Sequence, residues 1–237
     1  MADDLVLREL SDGVLTLTLN RPERNNAFTV PLEHAYYDSL EAAARDEAVR
    51  VIVLTGAGKS FCPGLDVEVL QEGLEAGGRL LTDKPRRPPT FPLSIPKPII
   101  AAINRPAAGI GLTLTLTADI RFAVRGAKLT TAWARRGLVG EHGMTWLIPR
   151  MIGGARGLDL TLSGRTLLSD EAHELGLIHR LTEPGESVDG RARVRTRPGR
   201  QRVAHVTWPS SSGRPNETWS GSKWSRGCAC GRNSSQR

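Results

Sequence analysis

Two glycine-containing segments could bring main-chain N–H groups close to a ligand. The first, residues 56–66, reads GAGKSFCPGLD, and the second, residues 101–111, reads AAINRPAAGIG. Gly109 and Gly111 stand where the second segment is predicted to enter a helix. Small residues let a ligand approach the backbone, and the first N–H groups of a helix have no intrahelical acceptor. Both segments are therefore candidates for main-chain binding, although each glycine cluster alone is more often an ordinary turn.

A phosphate loop is one alternative for the first segment, because Gly58-Lys59-Ser60 follows an apolar run. The nucleoside-triphosphate motif also needs a glycine five residues before Gly58, and Val53 stands there. The spacing therefore argues against nucleotide binding.

One carboxylate lies in a third glycine-rich segment, residues 137–143, which reads GLVGEHG. A positioned glutamate can carry a proton to and from carbon, so Glu141 is a candidate base. The alternative is an exposed glutamate at a helix start, stabilised by the helix dipole. We expect the adjacent His142 to be structural or solvated, and Cys62 to be a small buried filler.

The elements that must position these residues follow from apolar periodicity. Strands are predicted at residues 13–20, 49–55, 99–103 and 120–124. Helices are predicted at residues 31–45, 111–118, 143–151, 155–162 and 169–175, with Ser169 at the cap of the last. Their alternation favours an α/β domain with parallel strands. Residues 72–98, rich in Gly, Pro and charge, are predicted to form a mobile segment over the site.

Composition divides the chain at residue 181. The net charge is +7, but residues 190–237 hold ten Arg, one Lys and one acid, so the preceding 189 residues carry −3. From Thr182 onward there is no Leu, Ile, Met, Phe or Tyr. We predict a core at 1–181 and an atypical basic tail at 182–237 that is disordered or an out-of-frame translation. The alternative that would give the tail a function is binding to RNA or to membrane lipid.

The remaining composition favours a cytoplasmic protein. No apolar run reaches the roughly 18 residues of a membrane span, and the acidic start MADD does not resemble a signal peptide. Three cysteines give no disulfide framework, and the spacing of Cys228 and Cys230 does not fit a zinc site.

Taken together, the motifs resemble the enoyl-CoA hydratase/isomerase (crotonase) superfamily. The family pattern is a strand, then G-x-G-x-x-F-(C/S)-x-G-x-D, then a helix start like N-G-x-A-x-G-G-G; residues 56–66 and 104–111 correspond. Residues 19–27 match a preceding L-N-R-P-x-x-x-N-A segment, and the likeness runs from about residue 5 to residue 181.

The resemblance implies a crotonase-like spiral of ββα units that binds acyl-CoA thioesters. The N–H groups of Leu65 and Ile110 would form an oxyanion hole. Substrate contacts would come from Arg24, Ala27, Gly64, Leu65, Asp66, Gly109, Ile110 and Gly111. Coenzyme A is part of the substrate, so no cofactor, metal or nucleic acid is expected. A homotrimer or dimer of trimers is expected for the family, although the atypical tail puts that assembly in doubt here.

Two departures from the family bear on the reaction. Hydratases place glutamates at the positions of Thr113 and Trp133, and neither residue can act as a base. Residues 137–143 instead resemble the G-L-x-x-E-x-G of a branch of Δ3,Δ2-enoyl-CoA isomerases, where the glutamate carries the proton. A 1,3-proton shift needs only one base. The mechanism therefore favours isomerisation with Glu141 as the base. Enoyl-CoA hydratase remains the general name expected for a member of this family. The alternative is a homologue that binds acyl-CoA without catalysis.

Overall fold

A six-stranded sheet is the main element of this computed structural model. The structure describes residues 4–75, 87–140 and 142–183, together with two short strands at 193–196 and 204–207. The strand order of the sheet is β1-β2-β3-β4-β6-β9. These strands are β1 (Val6–Ser11), β2 (Val14–Leu19), β3 (Val51–Gly56), β4 (Ile99–Ile103), β6 (Ile120–Val124) and β9 (Arg180–Thr182). Only β1 and β2 pair antiparallel, and the other pairs are parallel.

The tight turn between β1 and β2 explains the one antiparallel pair. Asp12 and Gly13 both have positive φ, 50° and 80°. Two such residues make the turn whose twist matches that of a hairpin, and Asp-Gly is a favoured pair for it. The other strands are joined by longer connections, as parallel pairing requires.

A second, three-stranded sheet carries short strands in the order β5-β7-β8. They are β5 (Ala107–Ala108), β7 (Lys128–Thr130) and β8 (Thr166–Leu168). The helices are α1 (Val30–Arg45), α2 (Val67–Glu75), α3 (Ile110–Leu116), α4 (Met144–Ile152), α5 (Gly154–Ser163) and α6 (Ser169–Glu174). The succession β4, β5, α3 is a ββα unit in which a strand of each sheet precedes a helix. The predicted α/β class is confirmed.

Alternate residues of the main sheet pack on opposite faces, because successive side chains of a strand point in opposite directions. Ile52, Leu54 and Ile99 belong to the large core beneath the helices. Val53 and Ile100 belong to a smaller buried cluster on the other face. Because both faces are covered, β4 is a continuous apolar run and β6 is interrupted only by the buried Arg121, which is why both strands were predicted to the residue.

The predicted cap of α6 was wrong. Leu168 occupies the N-cap position, without a side-chain hydrogen bond. The buried Ser169 hydroxyl instead donates to the Val124 carbonyl oxygen at 2.8 Å and accepts from the Ala127 N–H at 3.2 Å. The hydroxyl is therefore used to close the turn between β6 and β7.

The predicted mobile segment, residues 72–98, is only partly described. Residues 72–75 belong to α2, and residues 76–86 lie outside the described ranges. Beyond them, Arg87 forms ion pairs with Asp38 at 2.7 Å and Glu41 at 2.5 Å, both on α1. The prediction of mobility therefore stands untested for residues 76–86.

Most of the predicted tail, residues 182–237, also lies outside the described ranges. The described exceptions are Thr182 and Glu183 together with β10 (Arg193–Thr196) and β11 (Ala204–Thr207), which pair antiparallel with each other. The boundary at residue 181 and the origin of the tail stay predictions. No helix in the described ranges is long and apolar enough to cross a membrane.

Lys97 is a buried cation that caps the end of α1. It is 6% exposed, and its ammonium group donates to the carbonyl oxygens of Ala43, at 2.6 Å, and Asp46. The last carbonyl groups of a helix have no intrahelical donor, so the ammonium supplies one to the Ala43 carbonyl oxygen, whereas that of Asp46 also accepts from the Val49 N–H at 3.1 Å.

We expect Lys97→Met to lower the free energy of unfolding by about 1–3 kcal/mol, because it leaves the Ala43 carbonyl oxygen without this donor. Urea unfolding measures the change. The matched control is Lys128→Met, at an exposed lysine of β7, which should stay within about 0.5 kcal/mol of wild type. A Lys97→Met protein as stable as the control would contradict a capping role.

Candidate active site

The first proposed donor, the Leu65 N–H, lies in a loop held by the start of α1. The Phe28 N–H donates to the Gly64 carbonyl oxygen at 2.8 Å, and the Asp66 N–H donates to the Phe28 carbonyl oxygen at 2.9 Å. These two bonds bracket Leu65, as in a parallel strand pair. Gly64 has φ 116°, a conformation that favours glycine.

The second proposed donor, the Ile110 N–H, opens α3. The preceding residue, Gly109, has φ 50° and ψ −121°, and its own N–H donates to the Thr130 carbonyl oxygen at 3.1 Å. As the first residue of the helix, Ile110 has no intrahelical acceptor for its N–H.

Gly111 brings the two loops together. A Cβ on Gly111 would lie 2.1 Å from the Cys62 carbonyl oxygen, so no other residue fits this backbone. The Ala108 N–H also donates to that oxygen at 3.0 Å. On the same side, a Cβ on Gly109 would lie 3.8 Å from the Gly64 Cα. The contact therefore places the Gly64-Leu65 and Gly109-Ile110 peptides side by side.

Both proposed donors are available to a ligand. Within residues 4–75, 87–140 and 142–183, no group accepts a hydrogen bond from the N–H of Leu65 or Ile110. Unpaired N–H groups beside two glycines are suited to bind an oxygen that gains negative charge.

Asn26 anchors the loop that precedes this pair, and its contribution was not foreseen from the sequence. It is fully buried with φ 62°, and its amide nitrogen donates to the carbonyl oxygens of Ala57 and Ser60, both at 2.8 Å. Its amide oxygen accepts from the Arg21 N–H at 2.8 Å. The signal was present, since asparagine tolerates the left-handed conformation better than most residues.

Asp66 is a structural carboxylate that directly follows the proposed donor Leu65. It is 3% exposed, lies 3.1 Å from Arg21 and 3.5 Å from Arg24, and accepts from the Glu68 N–H at 3.2 Å. Burial raises the pKa of Asp66, but the Glu68 hydrogen bond and the two guanidinium groups outweigh it and leave a lowered pKa. Asp66 is therefore ionised and engaged, which makes it a poor base.

The two predicted coenzyme A contacts of the preceding loop are close to Asp66. Arg24 has 44% of its side chain exposed and hydrogen-bonds the Glu68 carboxylate, so both of its carboxylate neighbours come from the start of α2. The Ala27 carbonyl oxygen accepts from the Arg21 guanidinium at 2.6 Å.

The positions that would carry a hydratase's glutamates are both buried. Thr113 is 0% exposed and its hydroxyl donates to the Gly109 carbonyl oxygen at 3.3 Å. Trp133 is 7% exposed, and its carbonyl oxygen accepts from the Leu138 N–H at 3.0 Å. Neither side chain can accept a proton from carbon.

The predicted base, Glu141, lies outside the described residues, but its neighbours define its place in the chain. A Cβ on Gly140 would lie 3.5 Å from the Trp133 ring. Two left-handed residues, His142 (φ 59°) and Gly143 (φ 78°), then lead into α4. Gly143 is the N-cap of α4, so this helix begins shortly after Glu141 in the chain. The roles of proton carrier and of helix-start glutamate both stay predictions for Glu141.

The structure thus brings together the predicted residues of the two glycine loops and the preceding segment: Arg24, Ala27, Gly64, Leu65, Asp66, Gly109, Ile110 and Gly111. It does not describe Glu141. No cluster of three His, Cys, Asp or Glu side chains that could hold a metal occurs in the described part of the chain.

Comparisons with known proteins identify the family. A family model described as enoyl-CoA hydratase/isomerase matches residues 9–198. The 1,2-epoxyphenylacetyl-CoA isomerase of Escherichia coli K12 is 39% identical over 184 residues, which are 76% of this chain and 70% of that protein. A probable enoyl-CoA hydratase of Rhodobacter capsulatus is 39% identical over 175 residues, 72% of this chain and 65% of that protein.

Solved structures agree. The enoyl-CoA hydratase EchA12_1 of Mycobacterium marinum superposes with a TM-score of 0.65 at 43% identity, covering 77% of this chain and 82% of that one. An enoyl-CoA hydratase/isomerase of Mycobacterium abscessus gives a TM-score of 0.69 at 32% identity, covering 78% and 73%. The chain belongs to the enoyl-CoA hydratase/isomerase family. The predicted family and crotonase-like fold are confirmed.

The contact between Gly111 and Cys62 yields a stability prediction. We expect Gly111→Ala to lower the free energy of unfolding by about 1–3 kcal/mol, because the new methyl group overlaps the Cys62 carbonyl oxygen. Thermal and urea unfolding measure the loss. Gly154→Ala is the matched control: Gly154 also lies in the first turn of a helix, α5, but has nothing within 4 Å of its Cβ position. Equal stabilities of the two variants would refute the close contact.

The lowered pKa of Asp66 yields a prediction about acid. An aspartate that is more acidic in the folded than in the unfolded chain contributes stability above the unfolded pKa of about 3.9. That contribution is lost as the pH falls through the lower folded value. Asp66→Asn should therefore be less stable than wild type at pH 7 and lose less stability on acidification. Denaturant midpoints between pH 7 and pH 3 provide the test, with the exposed Asp159→Asn as control; parallel curves for Asp66→Asn and wild type would contradict it.

Proposed function

We propose that this protein acts on acyl-CoA thioesters by holding the thioester oxygen in an oxyanion hole made by the N–H groups of Leu65 and Ile110. The observation that carries the proposal is the pair of unpaired N–H groups, brought side by side where Gly111 packs on Cys62. Membership of the enoyl-CoA hydratase/isomerase family supports the substrate class.

The chemistry that this pair would assist is the formation of an enolate. When a proton leaves C2 of an acyl thioester, negative charge develops on the thioester oxygen. Two fixed N–H groups stabilise that charge without reorganising, and one such donor typically contributes about 3–4 kcal/mol to lowering the barrier.

We propose isomerisation of a 3-enoyl-CoA to a 2-enoyl-CoA as the reaction. Glu141 would take the C2 proton, the electron pair of the broken C–H bond would delocalise into the thioester as a dienolate, and the same carboxyl group would return the proton to C4. No water is consumed and no redox partner is needed. The buried Thr113 and Trp133 support this choice, because hydration uses carboxylates at those positions to activate water.

The names of the relatives do not choose between the reactions of the family. The Escherichia coli relative is named for an epoxide substrate, 1,2-epoxyphenylacetyl-CoA, rather than a 3-enoyl-CoA, and the Rhodobacter capsulatus relative is a probable enoyl-CoA hydratase. Hydration of a 2-enoyl-CoA is therefore the second candidate reaction.

The substrate would extend from the oxyanion hole past Arg24, Ala27 and Asp66. Arg24 has 44% of its side chain exposed, so we propose that it exchanges its Glu68 contact for a phosphate of coenzyme A. Coenzyme A is part of the substrate in this proposal and no further cofactor takes part. A homotrimer or a dimer of trimers is the assembly expected for the family, and the atypical tail puts it in doubt here.

A non-catalytic acyl-CoA-binding protein is the rival from another class. It is favoured by the absence of both hydratase glutamates, and it would use the same two N–H groups for binding alone. Only turnover separates it from the enzyme.

We expect Glu141→Gln to lower isomerase turnover by about 10²–10⁴-fold, because glutamine has the size of glutamate but cannot accept a proton. Acyl-CoA affinity should stay within a few-fold of wild type. Steady-state assays with 3-enoyl-CoA, together with calorimetric binding of a saturated acyl-CoA, measure both quantities. Glu174→Gln, at an exposed glutamate of α6, is the control.

Three results would change the assignment. Full turnover of 3-enoyl-CoA by Glu141→Gln would exclude Glu141 as the proton carrier. Activity of wild type with 2-enoyl-CoA alone would make the protein a hydratase. Binding of acyl-CoA by wild type without turnover of either substrate would establish the non-catalytic alternative.

A further inference from the structure

The peptide group between Gly109 and Ile110 is hydrogen-bonded twice at its carbonyl end by a single residue. The Thr113 N–H donates to the Gly109 carbonyl oxygen at 3.0 Å, and the Thr113 hydroxyl donates to the same oxygen at 3.3 Å. The other end of this peptide group is the Ile110 N–H. Thr113 therefore acts on the very group that supplies one of the two proposed donors.

Two physical effects follow. Hydrogen bonds to a carbonyl oxygen polarise the peptide and strengthen its N–H as a donor, by roughly 10–30% per bond. They also fix the plane of a peptide that follows glycine, the residue with the greatest backbone freedom. The Gly109 N–H is held on its other side by the Thr130 carbonyl oxygen at 3.1 Å, so this turn is fixed from both directions.

We propose that Thr113 is a positioning residue, whose hydroxyl orients and polarises the Gly109-Ile110 peptide so that the Ile110 N–H binds the developing oxyanion more strongly. The inference rests on the proposed oxyanion hole. It gives a purpose to a residue that cannot serve as a base: the side chain acts on the reaction through the backbone rather than on the substrate.

The second donor has a comparable arrangement. The Gly64 carbonyl oxygen, at the other end of the Leu65 peptide, accepts from the Phe28 N–H at 2.8 Å and from the Cys62 thiol at 3.8 Å. Burial raises the pKa of Cys62 to about 12, so the thiol keeps its proton at any ordinary assay pH. Each donor peptide is thus held at its carbonyl by one N–H and one side chain, with the sulfur contact the longer and weaker.

The simpler explanation is that Thr113 makes the back-bond usual for a buried threonine in a helix. The same helix supplies a control that separates a positioning role from an ordinary back-bond. Thr117, also buried at the end of this helix, donates to the Leu114 carbonyl oxygen at 3.1 Å. The other end of that peptide is the Thr115 N–H, which is not a donor to the Gly109 carbonyl oxygen. Thr117→Val therefore has the structural cost of removing a buried back-bond without affecting the Ile110 N–H.

The kinetic test compares Thr113→Val, Thr113→Ser and Thr117→Val in the full chain. Loss of a complete oxyanion-hole donor lowers kcat about 10²–10³-fold, and loss of one polarising bond should cost a fraction of that. We expect Thr113→Val to lower kcat by about 3- to 10-fold with KM within about two-fold, Thr113→Ser to restore kcat, and Thr117→Val to leave it unchanged. Equal values for Thr113→Val and wild type, or equal losses in the two valine variants, would overturn the inference.

A spectroscopic measurement does not depend on turnover. A conjugated enoyl-CoA bound to Glu141→Gln should show its thioester C=O stretch at a lower Raman frequency than in water, because the oxyanion hole polarises it. Adding Thr113→Val should reduce this shift, whereas adding Thr117→Val should not. If Thr113→Val proves unfolded by circular dichroism, Thr113→Ala replaces it with the same expectation.

The outcomes also separate this inference from the proposed function. A full shift with Thr113→Val means that the oxyanion hole exists without help from Thr113, which overturns the inference alone. No shift even without the Thr113 substitution means that the thioester oxygen does not meet these N–H groups, which overturns both.

Discussion

The contact between Gly111 and the Cys62 carbonyl oxygen sets the spacing on which the candidate site depends. It joins the start of α3 to the loop after β3, and both proposed donors lie within three residues of it along the chain. With 2.1 Å between that oxygen and the position of a Cβ, glycine alone permits the approach. Neighbouring hydrogen bonds, such as that from the Ala108 N–H to the same oxygen, keep the two loops in register. A site made of main-chain groups requires this accuracy, since no rotamer change can correct its geometry.

The polar groups around the two glycine loops hold the loops in place rather than taking part in a reaction. Asn26 fastens the loop before Phe28 to the loop after β3, and Phe28 in turn hydrogen-bonds both neighbours of Leu65. Asp66 and Arg21 form an ion pair on the outer side of the same turn. The Asp66 carboxylate, which follows the proposed donor Leu65 in the chain, is thereby engaged with a cation and is not free to act as a base.

The parts of the fold that the sequence predicted well are strands that are almost entirely apolar. The bounds of β4 and β6 agree with expectation because both faces of these strands are buried, although β6 contains the buried Arg121. β1 was missed since only Val6 of its six residues is buried, and the two- and three-residue strands β5, β7 and β8 are too short to leave a period. The site residues came from motif resemblance. The hydrogen bonds from Asn26 to Ala57 and Ser60 could not be predicted, because they depend on how loops distant in sequence meet. The bond from Thr113 to Gly109 is local to one helix, but its relation to the proposed oxyanion hole follows only once the fold has brought Ile110 close to Leu65.

Arg87 and Lys97 have a consequence for how the protein tolerates change. Arg87 pairs with Asp38 and stacks over the Phe91 ring at 5.4 Å, and Lys97 is bonded to the end of α1. The chain that follows residue 86 is thus secured to one helix independently of the eleven residues before it. Changes in the length or sequence of residues 76–86 should accordingly leave these contacts with α1 in place, so that evolution can vary this stretch of chain at little cost to the scaffold.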